Sequence, residues 1–286
     1  MSAITTIPSC PVSTPPESAG APSAVDDDSL VGRVALVTGG TRGIGAAISL
    51  SLIARGATVA AGFSANQTAA ERFRQTLRDV GNDASVHQGN VGDPGDCLRV
   101  VGEVIEEHGR LDILVNNAGV TVDRPVSSMT VEDWHKVLRV NLSGAFYMSQ
   151  PALGHMLERG SGRIINISSV VGETGNIGQA NYAASKSGLL GLTKTLAREA
   201  AFALEKAGKL DGDGIGLTVN AVTPGLIETE MTGAVPAKVI EKLCAAIPMR
   251  RMGRPEEVAR VVRFLAADSS NYITGQVWGV NGGFDM

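Results

Sequence analysis

Tyr182 and Lys186 stand four positions apart in Tyr182-Ala183-Ala184-Ser185-Lys186. On a helix that spacing puts both side chains on one face, with a phenol beside an ammonium. A neighbouring positive charge favours the phenolate. Lys186 is therefore expected to lower the Tyr182 pKa from its ordinary value of about 10, making the phenol a better proton donor and acceptor near neutral pH. A surface helix can carry such a pair by accident, so its company matters. Ser169 ends an apolar run, and the Gly-rich stretch 170–180 can bring its hydroxyl opposite Tyr182. Asn141 interrupts an apolar helical pattern, where an unpaired amide is costly to bury; it reads equally well as a structural hydrogen bond or as part of the chemistry.

The elements that must position these groups can be read in order. Val34–Val37 is short and apolar, as a buried parallel strand is. It runs into Thr38-Gly39-Gly40-Thr41-Arg42-Gly43-Ile44-Gly45 and then a helix over about 46–55. Small residues between a strand and a helix N-terminus let backbone N–H groups close on a pyrophosphate. The second strand, 58–62, is followed by Phe63-Ser64-Ala65-Asn66, and no Asp or Glu occurs between Gly45 and Glu71. A site for NAD usually places an acid there for the ribose 2′-hydroxyl. Its absence, with Arg42 able to meet a further phosphate, favours NADP(H).

The alternation then continues: a helix at about 68–80, a strand at 85–91 ending in Asn90 and Val91, a helix at 93–108, and a strand at 111–115 leading to Asn116-Asn117-Ala118-Gly119. Thr130, with Asp133 three residues on, caps a long helix expected from about 131 to 157. Strands at 163–169 and 218–222 flank a helix running past Lys194, and Pro224-Gly225 closes the last strand. Repeated strand–helix units predict an α/β fold: one Rossmann-type, doubly wound parallel sheet with helices on both faces. The domain is expected over 31–286. Residues 1–30, rich in Pro, Ser, Thr and Ala, read as a disordered extension.

Composition narrows the classes. The chain has 286 residues, 43% of them hydrophobic, and a formal net charge of -4. This argues against a nucleic-acid surface, which is usually basic, and no apolar run reaches membrane-spanning length. Three Cys and four His show no ligand spacing, so neither metal nor disulfide is expected; a reducing cytoplasm fits.

Together, Thr38-Gly39-x-x-x-Gly43-x-Gly45, Asn116-Asn-Ala-Gly119, Asn141, Ser169, Tyr182-x-x-x-Lys186 and Pro224-Gly225 resemble the short-chain dehydrogenase/reductases from about Gly32 to the C-terminus. Ser169-Val-Val-Gly172, Asn176-Ile-Gly-Gln-Ala-Asn-Tyr182, Ile227-Glu-Thr229-Glu-Met231 and Val280-Asn-Gly-Gly-Phe284 are most similar to its bacterial 3-oxoacyl-ACP and acetoacetyl-CoA reductases. The resemblance implies reduction of a 3-oxoacyl thioester, on CoA or acyl carrier protein, by NADPH in a homotetramer. Reduction of another ketone (quinone, sugar or polyketide) is the rival reading. The resemblance assigns Asn141, Ser169, Tyr182 and Lys186 to catalysis. It assigns Gly39, Gly40, Thr41, Arg42, Gly43, Ile44, Gly45, Ser64, Asn90, Val91, Asn117, Ala118, Gly119, Tyr182, Lys186, Pro224, Gly225, Ile227 and Thr229 to the cofactor. Ser169, Gln179, Tyr182 and Leu226 are assigned to substrate. It also implies a lid over about 228–254, where Met231, Val235 and Ile247 read equally as acyl contacts or as ordinary helix packing; Arg250, Arg251 and Arg254 read equally as a surface for CoA phosphates or an acidic carrier and as a solvated basic cluster. Carrier-dependent relatives place docking cations near positions held here by Gly160 and Ala203, with Arg159 and Lys206 close by.

Overall fold

The computed structural model describes residues 28–79, 84–210, 216–233 and 236–286. The strands are β1 (Val34–Val37), β2 (Thr58–Phe63), β3 (Ser85–Gln88), β4 (Ile113–Asn116), β5 (Gly162–Ile167), β6 (Leu217–Pro224) and β7 (Val277–Val280). Among the described residues they form one sheet in the order β3-β2-β1-β4-β5-β6-β7, and every pairing is parallel. The helices between them are α1 (Gly43–Ile53), α2 (Gln67–Asp79), α3 (Pro94–His108), α4 (Val131–Leu138), α5 (Gly144–Arg159), α6 (Val171–Thr174), α7 (Ala180–Lys206), α8 (Glu230–Gly233), α9 (Ala237–Ala246) and α10 (Pro255–Ala266).

The central strands are apolar at consecutive positions because both faces are covered. Side chains alternate across the sheet with a period of two, which sorts them into two cores. Ala35, Val37, Ile113, Val115, Ile165 and Ile167 face α1, α2 and α10. Val34, Leu36, Leu114, Ile164 and Val219 face α3, α5 and α7. The doubly wound reading therefore holds.

The order reverses between β1 and β4, the two strands that start the halves of the sheet. Ligands of such sheets sit beyond the carboxyl ends of the strands at that point. The main cleft, about 810 Å³, opens there, between the turn after β1 and the segment after β4.

Three expectations change. The helix foreseen over 131–157 is not one regular helix: a π-helical turn at Arg139–Ser143 separates α4 from α5. Asn141 lies in that turn, where hydropathy periodicity gives no sign of it. A strand absent from the sequence reading, β7, pairs with β6 on the outer edge. The third strand stops at Gln88, so Asn90 and Val91 lie in the loop beyond it. Of the extension expected at 1–30, residues 1–27 lie outside the described residues.

Candidate active site

The turn after β1 is shaped for close backbone approach. Gly39 and Gly43 adopt φ of 62° and 51°, conformations that L side chains rarely take. At Gly45 a Cβ would sit 2.1 Å from the Gly39 carbonyl oxygen and 2.6 Å from Asn117 Nδ2. α1 begins on this turn with no side-chain cap and no acid in its first turn. Its first N–H groups therefore face the cleft without a protein partner of that kind, the arrangement that receives a phosphate. A pyrophosphate-bearing dinucleotide fits these residues.

Thr38 ties this turn to the other side of the cleft. Its Oγ1 accepts hydrogen bonds from the N–H groups of Asn117 and Ala118, both at 3.0 Å. Asn117 Nδ2 in turn donates to the Thr38 carbonyl at 2.9 Å. Thr38 stood in the quoted motif, but its role was not foreseen.

The proposed chemistry lies on the other side. Ser169 follows β5, and Tyr182 stands in the first turn of α7, where Asn181 Oδ1 accepts the Tyr182 N–H at 2.7 Å. Ser169 is within hydrogen-bonding reach of the Tyr182 phenol. Lys186 lies one turn further along α7; it is buried, and its Nζ is 5.7 Å from the Tyr182 ring centre. Nζ donates to the Ile167 carbonyl at 2.7 Å. Burial pushes the Lys186 pKa down to about 8.

The expected effect of Lys186 on Tyr182 is not what this arrangement gives. Desolvation raises the phenol's pKa, the Ser169 hydrogen bond lowers it, and the Asp123 charge raises it. The net direction is upward. The shared helix face is correct, but four-residue spacing carries no information about burial, and here burial is the largest effect. Lys186 spends its hydrogen bond on β5.

Asn141 is buried and fully engaged. Its Oδ1 accepts from the Val120 N–H at 2.8 Å, and its Nδ2 donates to the Val120 carbonyl and to Ser185 Oγ at 3.0 and 3.1 Å. A Cβ on Gly119 would lie 3.4 Å from Asn141 Oδ1 and 3.5 Å from Lys186 Nζ. The π turn is thus pinned to the β4 loop directly behind Lys186.

A family described as enoyl-(acyl carrier protein) reductase matches residues 39–285. The chain is 46% identical over 252 residues to an acetoacetyl-CoA reductase of Rhizobium meliloti, and 44% over 252 residues to one of Shinella zoogloeoides. Each alignment covers 88% of this chain and 98% of the relative. It is 43% identical over 254 residues to the 3-oxoacyl-[acyl-carrier-protein] reductase FabG of Thermotoga maritima, covering 89% and 98%. The chain is a short-chain dehydrogenase/reductase. Membership makes it an oxidoreductase with a nicotinamide cofactor.

As a short-chain dehydrogenase/reductase it brings most of the residues foreseen from sequence to one cleft. Gly39, Thr41, Arg42, Gly43, Ile44, Gly45, Ser64, Asn90, Val91, Asn117, Ala118, Gly119, Ser169, Tyr182, Lys186, Pro224, Gly225, Leu226, Ile227 and Thr229 all line it. Three do not. Gly40 packs behind the turn, where a Cβ would meet the Val37 carbonyl at 2.7 Å. Asn141 lies one layer behind the lining. Gln179 directs its amide to the Asp123 carboxylate, at 3.1 Å to each oxygen, and its own carbonyl accepts from Asn176.

Two further expectations fail around the foreseen lid. Ile247 is buried beneath the C-terminal turn at Gly282 instead of lining the cleft. Arg251 is held bidentately by Glu257 at 2.7 and 2.8 Å, so it is not a free cation. The Met231 side chain and Val235 lie outside the described residues. Among the described residues, no helix is long and apolar enough to cross a membrane.

Proposed function

We propose that the protein reduces a 3-oxoacyl thioester to the 3-hydroxyacyl thioester with NADPH. The observation that carries this reading is the placement of Ser169, Tyr182 and Lys186 together in the dinucleotide cleft. Two hydroxyls converging on one point suit a single carbonyl oxygen. Tyr182 gives that oxygen its proton, and Ser169 donates a hydrogen bond to the developing alkoxide. A phenol whose pKa lies above its ordinary value remains protonated at neutral pH, as a donor must. The reduced nicotinamide, when bound, supplies hydride to the carbonyl carbon. Lys186, below its own pKa of about 8, keeps a positive charge near Tyr182 and toward the ribose. Asn141 holds the Val120 loop against that lysine. Thr41 and the first N–H groups of α1 receive the pyrophosphate, and Pro224, Gly225, Ile227 and Thr229 close the cleft from the β6 side.

The preference for NADPH is supported by Ser64, Ala65 and Asn66 at the end of β2, with no acid among them, and by Arg42 across from them. Arg42 pairs with Glu230 at 3.4 Å, both side chains being well exposed. Such a pair is worth little, so the guanidinium can be given up to a 2′-phosphate. The segment 228–254 is the proposed lid. α9 buries none of its described side chains, as an element that lifts from the domain requires. Arg159, near the foreseen carrier-docking position, lies 3.8 Å from Asp112, and this favours CoA over acyl carrier protein. Exposed Phe146, Phe202 and Phe264 support a homotetramer, and the unpaired Cys97 and Cys244 support a cytoplasmic setting.

The test follows loss of reduced-nicotinamide absorbance with acetoacetyl-CoA and acetoacetyl-ACP, with NADH as cofactor control and crotonyl-CoA as enoyl control. Turnover of the oxo thioesters with NADPH is expected, CoA above carrier protein. Turnover of crotonyl-CoA alone would overturn the assignment, because hydride would then add to a carbon–carbon double bond and not to a ketone carbon.

A further inference from the structure

On the outer edge of the sheet, the fold brings together a group of side chains far apart in sequence. His87 of β3 and Glu107 and His108 of the last turn of α3 place one nitrogen or carboxylate donor each within 4.8 Å of the others. Glu107 Oε2 is 3.5 Å from His87 Nε2, and Glu107 Oε1 is 3.9 Å from His108 Nε2. A tetrahedral zinc with bonds of about 2.0–2.1 Å separates its ligands by about 3.3 Å, and the donors, which lie within 4.8 Å of one another, must draw in to meet it. Ser85 Oγ stands between the two imidazoles, 2.9 Å from His87 Nε2 and 3.0 Å from His108 Nε2, and supplies a fourth oxygen.

Three features make this more than a chance encounter of polar groups. First, His87 Nδ1 faces Glu103 Oε2 at 3.3 Å. A carboxylate at Nδ1 holds the proton there and leaves the Nε2 lone pair for a metal, the usual support of a histidine ligand. Glu103 is itself fixed by Arg99 at 2.7 Å, and Arg99 also donates to Asp96 and to the Gln88 carbonyl. Second, His87 is nine-tenths buried and His108 nearly so, so two of the donors are already largely stripped of water. Third, Glu107 and His108 lie at the C-terminal end of α3, the negative end of its dipole.

We propose that His87, Glu107 and His108, with Ser85 beside them, bind a divalent cation of the zinc class and clamp the edge strand β3 to the end of α3. The site takes no part in the proton and hydride transfer proposed above, although His87 also lines the cleft. Two imidazole nitrogens and one carboxylate suit Zn²⁺ over the oxygen-seeking Mg²⁺ or Ca²⁺.

The experiment is calorimetric titration of the untagged, full-length protein with Zn²⁺, then with Mg²⁺, alongside thermal melts with and without zinc. One Zn²⁺ per chain is expected, with a raised melting temperature and no response to Mg²⁺. His108→Ala and the more exposed Glu107→Gln should each weaken zinc binding at least tenfold while melting like wild type in chelator. Absence of zinc binding by wild type would overturn the proposal. So would binding of undiminished affinity in both variants, which would place the ion elsewhere on the chain.

Discussion

Gly45→Ala sets two effects against each other, and the geometry decides the sign. Gly45 lies in the first turn of α1, where alanine is the better helix former by about 1 kcal/mol. Propensity alone therefore predicts a stabilised protein. The added Cβ, however, would stand 2.1 Å from the Gly39 oxygen, 2.8 Å from the Gly39 carbonyl carbon and 2.6 Å from Asn117 Nδ2. Carbon contacts become favourable only near about 3.5 Å. Two of the three neighbours are backbone, so no rotamer change relieves them. Overpacking of this kind costs about 1–3 kcal/mol and at times more; a backbone contact this short belongs at about 2–3 kcal/mol, leaving a net loss of about 1–2 kcal/mol. For a domain of this size that is a fall of roughly 2–8 °C in melting temperature. Relief must also move either the Gly39 turn or Asn117, the two walls of the phosphate cradle. NADPH affinity is accordingly expected to fall at least tenfold by fluorescence titration, the equivalent of about 1.4 kcal/mol. Gly154→Ala in α5 is the matched control, because a Cβ there meets nothing within 4 Å; it should gain up to about 1 kcal/mol and leave cofactor affinity alone. A Gly45→Ala protein that melts above wild type and binds NADPH normally would refute the cradle geometry.

Tyr182→Phe should lower kcat by about 10²–10⁴-fold with NADPH affinity within twofold of wild type; single-turnover kinetics reads the first and fluorescence titration the second. Arg42→Ala should raise KM for NADPH about tenfold and leave KM for NADH unchanged, so equal loss with both would remove Arg42 from discrimination. Lys186 has a folded pKa of about 8 against an ordinary 10.5. Between those values the unfolded chain holds the proton that the folded chain has released, so this residue makes stability rise with pH across that window. Below the folded pKa the buried ammonium costs roughly 3 kcal/mol. Urea titrations should show the rise in wild type and not in Lys186→Met. Asp112 is buried, accepts from Val34 N–H at 2.9 Å and is paired with Arg110 at 2.6 Å, with Arg33 and Arg159 within 4 Å. Asp112→Asn should therefore cost about 3 kcal/mol in urea denaturation without altering KM for NADPH.

Much of this was legible in the chain because parallel strands are apolar on both faces and the glycines of a phosphate turn are dictated by space. Val34–Val37 and Gly39 to Gly45 needed no tertiary knowledge. β7 was missed because Val277–Val280 is only half-buried and contains Gly279, so it lacks the continuous apolar signal of β4 or β5. The π turn was invisible because the contacts made from it, those of Asn141 with Val120 and Ser185, join segments distant in sequence. The direction of the Tyr182 shift failed for the same reason: desolvation is a property of everything packed around α7, whereas the spacing of Tyr182 and Lys186 is local. Ile247 was apolar and near the cleft in sequence, but Gly282 in the C-terminal turn gave it a different place to be buried.

Because every strand runs the same way, the sheet has one working rim and one idle rim. The turns at Gly56, at Gly109 to Asp112 and at Gly160 to Gly162, together with residues 207–210 after α7, lie at the strand-start side of the sheet, on the rim away from the cleft. The same polarity offers a practical handle: a tether, label or solid support attached near Lys206 would leave the cofactor and substrate mouths facing the solution.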